Sequence, residues 1–161
     1  MTRARGLTGA RRRWCSTNAP RRGSRQERTA DPLRWADVLA GFVVCHGVGD
    51  YLLQTDWQAL HKRGGLSPDP VARRALVSHV GTYTAAFVPA LAWIAGRRTL
   101  AVALRTGALI SLPHLVQDDG RLLSLYAMSV KGLDVREQPN VGMWVDQSFH
   151  LVALFLASHS V

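Results

Sequence analysis

Ala75-Leu-Val-Ser-His-Val-Gly-Thr-Tyr-Thr-Ala-Ala-Phe-Val-Pro-Ala-Leu-Ala-Trp-Ile-Ala95 contains no charged side chain. A helix needs about 20 apolar residues to cross the hydrocarbon core of a bilayer, and this stretch has that length. A helix half-exposed to water would carry a polar face; none is written here. The very short link Gly96-Arg97-Arg98 leads to another apolar stretch, Thr99 to Val116, which holds Arg105. So short a link forces the two stretches into an antiparallel hairpin. Two further apolar stretches flank them, Trp35 to Leu53 before and Val141 to Val161 after, the last with Asp146 in it. Trp57, Trp93 and Trp144 fall at stretch ends, where interfacial aromatics gather. The expected fold is all-α, a four-helix up-down transmembrane bundle over residues 33–161. A soluble bundle of unusually apolar helices is the alternative.

Charge is distributed unevenly. The chain has 161 residues and a net charge of +9, which alone would suggest a nucleic-acid binder. Residues 1–30, however, hold nine arginines and a single acid, Glu27, whereas the rest of the chain holds eleven basic and ten acidic side chains. A nearly neutral apolar body thus carries a short cationic arm, and no nucleic-acid partner is expected. With almost nothing to bury, residues 1–30 are expected to be a disordered Arg-rich tail. Contact with anionic lipid headgroups, a transit peptide and an over-extended gene start are three competing readings of that tail. Cys15 and Cys45 form no disulfide framework or zinc ribbon. No phosphate loop, nucleophile elbow or HExxH element occurs, so a soluble serine or cysteine hydrolase has no support.

The chemistry lies in what interrupts the apolar stretches. His46 and Asp50 are four apart in the first, His114 and Asp118 four apart at the end of the third, and Asp146 and His150 four apart in the fourth. His79 stands in the second, followed by Thr82 and Tyr83. Residues at i and i+4 share a helix face. In an alternating bundle the four ends that carry these groups lie on one side, so seven His or Asp side chains can converge at one level. Ionisable groups in a membrane are costly unless paired and mark a functional site by default. Imidazole with carboxylate suits a divalent metal, zinc or manganese, held between facing helices. The metal candidates are His46, Asp50, His79, His114, Asp118, Asp146 and His150, with Gln54 and Gln147 as supporting residues; no catalytic residue is assigned. Asp56 and Asp119 read as solvated helix-end groups, and Gly41, Gly47 and Gly49 as points of close helix approach. Two other readings stand beside metal: His–Asp pairs as interhelical hydrogen bonds, and a proton relay.

The blocks His46-Gly-Val-Gly-Asp50-Tyr-Leu-Leu-Gln54-Thr-Asp-Trp57, Ser78-His79 with Tyr83, His114-Leu-Val-Gln-Asp118 and Val145-Asp146-Gln147-Ser-Phe-His150 resemble bacterial membrane proteins of the domain-of-unknown-function family 3307. The likeness covers residues 33–158. It implies a multi-span protein of the bacterial cytoplasmic membrane, with the lipid bilayer as its partner. The Asp118-Asp119 pair departs from the family's pattern, which leaves open which carboxylate would bind. More distantly, the His/Asp layout resembles membrane-bound metal-dependent hydrolases. The expected function is therefore metal-dependent hydrolysis of a membrane-proximal substrate. The alternative is a non-catalytic membrane module, a structural partner or transporter component. The arginines preceding the first stretch place both termini in the cytoplasm and open the polar layer outward.

Overall fold

The structure is a computed structural model and describes residues 33–135 and 137–161. The expected disordered arm, residues 1–30, lies outside the described residues. Among these there are seven α-helices and no strand: α1 (Trp35–Gly47), α2 (Asp56–His61), α3 (Pro70–Ala86), α4 (Val88–Arg97), α5 (Leu100–Asp118), α6 (Arg121–Lys131) and α7 (Pro139–Ser158). A π-helical turn, Val48–Leu52, extends α1. The all-α class agrees with the sequence; four simple helices do not.

Three physical features account for the difference. The uncharged stretch does not form one straight rod, because Pro89 has no backbone N–H and its ring clashes with the carbonyl four residues back. The helix breaks at Phe87, and α3 and α4 meet at a bend of 47°. Residues 54–74 hold α2, started by a capping box in which the Thr55 side chain accepts from Gln58 N and the Gln58 side chain accepts from Thr55 N. Residues 117–140 hold α6, bracketed by Gly120 and Gly132 in the left-handed region at φ 76° and 63°, where a Cβ is disfavoured.

Two helices, α5 and α7, are long and apolar enough to cross a membrane, with mean hydropathy 1.3 and 1.2; α3 with α4 makes a third if the bent pair is one span. By length and hydropathy the described residues thus hold two or three candidate spans, where four were expected. The first stretch is not among them, because its α-helix stops after 13 residues and continues as the π turn.

The packing is still a ring of four units. α1 lies against α7 and α4, its π turn against α3, and α5 lies between the α3–α4 pair and α7. The amino end of α1 meets the carboxyl end of α7, where Trp35 stacks on His159. At the other end His46 bonds Gln147. His79 meets His114 and Thr84 meets Ser111, so α3 and α5 also run antiparallel. One apolar core fills the bundle below this layer, built from Val38, Phe42, Tyr83, Phe87, Ile94, Ala103, Ile110, Leu154 and Ala157. Outward faces are apolar as well, with Val44, Leu104, Leu112 and Leu156 exposed.

Gly49 is the one glycine of the first stretch that the packing requires. A Cβ there would sit 2.6 Å from Tyr83 Cδ2, whereas Gly41 and Gly47 have nothing within 4 Å of theirs. The close approach expected of all three glycines is thus confined to Gly49.

Candidate metal centre

Four helices deliver the site. α1 and its π turn bring His46 and Asp50, α3 brings His79, α5 brings His114 and Asp118, and α7 brings His150. The histidines are buried, at 4% exposure or less, and the side chains of Asp50 and Asp118 are 6% and 1% exposed. The π turn follows His46 and itself carries Asp50 and Gly49, the residue in close contact with Tyr83. π turns widen the helix by one residue and recur at functional sites.

Four atoms form the tightest group: His79 Nε2, His114 Nε2, Asp50 Oδ1 and Asp118 Oδ2. His79 Nε2 lies 3.1 Å from His114 Nε2, 3.4 Å from Asp50 Oδ1 and 2.8 Å from Asp118 Oδ2. His114 Nε2 lies 3.6 Å from Asp50 Oδ1 and 3.2 Å from Asp118 Oδ2. A tetrahedral ion with bonds near 2.0–2.1 Å sets its ligands about 3.3 Å apart. The Asp50, His79 and His114 atoms, 3.1–3.6 Å from one another, match part of one coordination sphere, and Asp118 Oδ2 lies beside both imidazoles. Two more groups of donors lie within 4.8 Å of one another: His46, Asp50 and His150, and His114, Asp118 and His150.

Hydrogen bonding among the protein's own atoms leaves this centre unfinished. Asp50 Oδ1, Asp118 Oδ1, both ring nitrogens of His150, and Nδ1 of His79 and His114 are buried without a hydrogen-bond partner, as is the nearby Gln117 Oε1. An unsatisfied buried polar group costs about 1–3 kcal/mol, and clusters of them call for a ligand.

The surrounding residues orient the donors. Gln147 Oε1 accepts from His46 Nε2 at 2.9 Å, which leaves the lone pair of His46 on Nδ1, 3.1 Å from the Tyr83 hydroxyl and 3.5 Å from Asp50 Oδ2. Tyr83 stacks on His114 with ring centroids 3.4 Å apart. Lys62, just past α2, donates to Asp118 Oδ2 at 2.9 Å and to Gln54 Oε1 at 3.0 Å. Gln54 therefore reaches the cluster through Lys62, and Gln147 reaches it directly.

Of the seven metal candidates, the structure brings six together. Asp146 stands apart, its side chain 23% exposed and its Oδ2 3.8 Å from His150 Nδ1. Asp119 is not a solvated end group. Its carboxylate is buried, bonds Leu66 N at 2.8 Å and Arg121 Nε at 2.6 Å, and its carbonyl accepts from Gly64 N. Burial disfavours the charge of Asp119, but the Arg121 guanidinium and the Leu66 N–H outweigh it and lower the pKa below the ordinary carboxylate value. Asp56 is exposed, as expected. Lys62 was not visible from spacing, since a lone cation in a polar link carries no periodic signal. The capping box at Thr55 was the one local cue that α2 would hold it beside the bundle.

Compared with family models, curated proteins and solved structures, the chain matches none.

Proposed function

We propose that the chain is an integral membrane protein of four crossings, with the α1–π segment as the first. In this reading it holds a divalent metal ion, zinc or manganese, between its helices and hydrolyses a membrane-proximal ester. The observation that carries this reading is the set of five 2.8–3.6 Å separations among buried imidazole and carboxylate atoms. A divalent ion in such a site supplies Lewis acidity and a nucleophile at neutral pH. Hydrolysis adds water across the ester bond and releases an acid and an alcohol, so no oxidant or second cofactor is required. The chain's own residues bind and orient: Gln147 holds the His46 ring, Tyr83 packs the His114 ring, and Lys62 offers a cation beside Asp118.

A lipid-borne substrate fits the surroundings. A groove of about 560 Å³ on α5 is lined by Leu109, Leu112, Pro113, Val116 and Gln117. A second pocket of about 40 Å³ shares Gln117 and Leu122 with it and is lined also by Asp146 and by Phe149, the residue before His150. Location in the bacterial cytoplasmic membrane, kinship with family 3307 and contact of the Arg-rich arm with anionic lipid belong to the same reading.

One observation favours the rival, a non-catalytic module. The Lys62–Asp118 ion pair already partners one buried carboxylate, as a network that only ties helices together would do. Elemental analysis of protein purified in detergent without chelator separates the two. A stoichiometric metal content together with metal-dependent cleavage of a fluorogenic lipid ester supports the hydrolase. Sub-stoichiometric metal overturns it.

A further inference from the structure

The two carboxylates of the cluster do not each serve one neighbour. Asp50 turns Oδ1 toward His79 and His114, at 3.4 and 3.6 Å, and Oδ2 toward His46, at 3.5 Å. Asp118 turns Oδ2 toward the same His79 and His114, at 2.8 and 3.2 Å, and Oδ1 toward His150 Nε2, at 3.5 Å. The donors thus fall into two halves that share both carboxylates. One half is His79 Nε2 and His114 Nε2; the other is His46 Nδ1 and His150 Nε2.

We infer that this is a site for two divalent ions, bridged by Asp50 and Asp118, one ion on His79 and His114 and the other on His46 and His150. The inference rests on the metal-binding reading above and goes beyond it by assigning a second ion. Two further observations support it. Asp118 Oδ1 and His150 Nε2, both in the second half, are buried and without hydrogen-bond partners, so that half has free lone pairs of its own. Metal-ligating histidines are held by a partner on the nitrogen that does not bind. Gln147, which accepts from His46 Nε2, is such a partner for His46. Asp146, 3.8 Å from His150 Nδ1, is beyond hydrogen-bond distance and stays outside the cluster. The second half is the looser one. Its His–carboxylate separations are both 3.5 Å, and His46 Nδ1 exchanges the Tyr83 hydroxyl for the ion. Carboxylate-bridged pairs of ions lie about 3.5–4 Å apart, and each carboxylate here spans the two halves through its two oxygens.

The test uses the full chain in detergent, stripped with chelator, loaded with manganese chloride and freed of excess salt. Elemental analysis counts the ions, and electron paramagnetic resonance reports whether they are exchange-coupled. Two ions per chain with a coupled spectrum are expected. His150→Ala is expected to keep one ion and lose the coupling. Elution volume and thermal unfolding check that it has folded, and His46→Gln probes the same half if it has not. One ion in the unaltered chain, two ions without coupling, or two coupled ions in either folded variant overturns the inference while leaving a metal site. No ion at all overturns both this inference and the metal reading beneath it.

Discussion

Asp119 shows how one carboxylate can hold a segment in place without touching the cluster. It accepts from the Leu66 N–H and from Arg121, and its carbonyl takes the Gly64 N–H, so the chain after α2 is fastened to the end of α5. Removing a charged acceptor from a partly buried N–H costs up to about 1–3 kcal/mol, and Asp119→Ala is expected to lower thermal stability within that range while leaving metal content unchanged. Its pH dependence has a definite sign. The folded pKa lies below the ordinary value of 3.8, so the folded state binds the proton less readily than the unfolded chain. The stabilisation is complete above about pH 4–5 and is lost as pH falls through the folded pKa. Acid unfolding curves of the unaltered chain and Asp119→Asn should therefore converge at low pH; curves that stay parallel would refute the assignment. His114 behaves differently. It contributes one of the four closest donor atoms, so added zinc or manganese is expected to raise the melting temperature of the unaltered chain but not that of His114→Ala. A ligand at a hundred times its Kd stabilises by about 2.7 kcal/mol. An equal rise in the variant would remove His114 from the metal site. The i, i+4 spacing made these histidines legible in the sequence, because shared faces on antiparallel helices leave few places for them to meet. Burial of Asp119 was not legible, since its partners come from Leu66 and Gly64, more than fifty residues away.

The helices themselves were legible where apolar length decided them and illegible where a local backbone rule intervened. α5 and α7 follow their apolar stretches closely. α5 runs through Pro113 without ending, whereas Pro89 ends α3, so the presence of proline alone did not say which helix would break. The π turn has no spacing signature at all. What makes it readable afterwards is Gly49, the residue through which the backbone of that turn reaches Tyr83. A side chain there cannot be absorbed by a flexible tip, because the Tyr83 Cα is also only 3.3 Å from the added Cβ. Overpacking of this kind costs about 1–3 kcal/mol. Gly49→Val is expected to destabilise the protein by at least that much and to disturb the stacking of Tyr83 on His114, with a matching loss of metal affinity. Gly47→Ala, which meets nothing, is the control and should be near neutral or slightly stabilising. Equal stability of the two variants would show that the π turn does not lean on Tyr83 in the bilayer.

On the scale of the whole molecule the ring of four antiparallel units puts the cluster at one end and the turn Arg97-Arg98 at the other. Cationic loops remain in the cytoplasm, and the first helix usually decides. In the sequence, ten arginines precede α1, up to Arg34, and Arg97 and Arg98 stand in the link from α4 to α5, twelve in all. The sequence from residue 54 to 74 and from 117 to 140 holds seven: Lys62, Arg63, Arg73, Arg74, Arg121, Lys131 and Arg136. The expected outcome is a carboxyl terminus in the cytoplasm and a cluster opening outward, read by a reporter fused after Val161. Deleting residues 2–30 leaves three cations, Arg34, Arg97 and Arg98, against the seven, so the same reporter should then sit outside. A second pair of reporters tests the number of crossings. If α1 and its π turn cross, reporters at the two ends of the chain lie on the same side. If only the α3–α4 pair, α5 and α7 cross, they lie on opposite sides, and α1 then rests in the interface with Asp50 facing the bundle. The second result would leave the six-residue cluster intact but reject four crossings, because the ring of packed helices fixes which side chains meet and not how deep each helix sits.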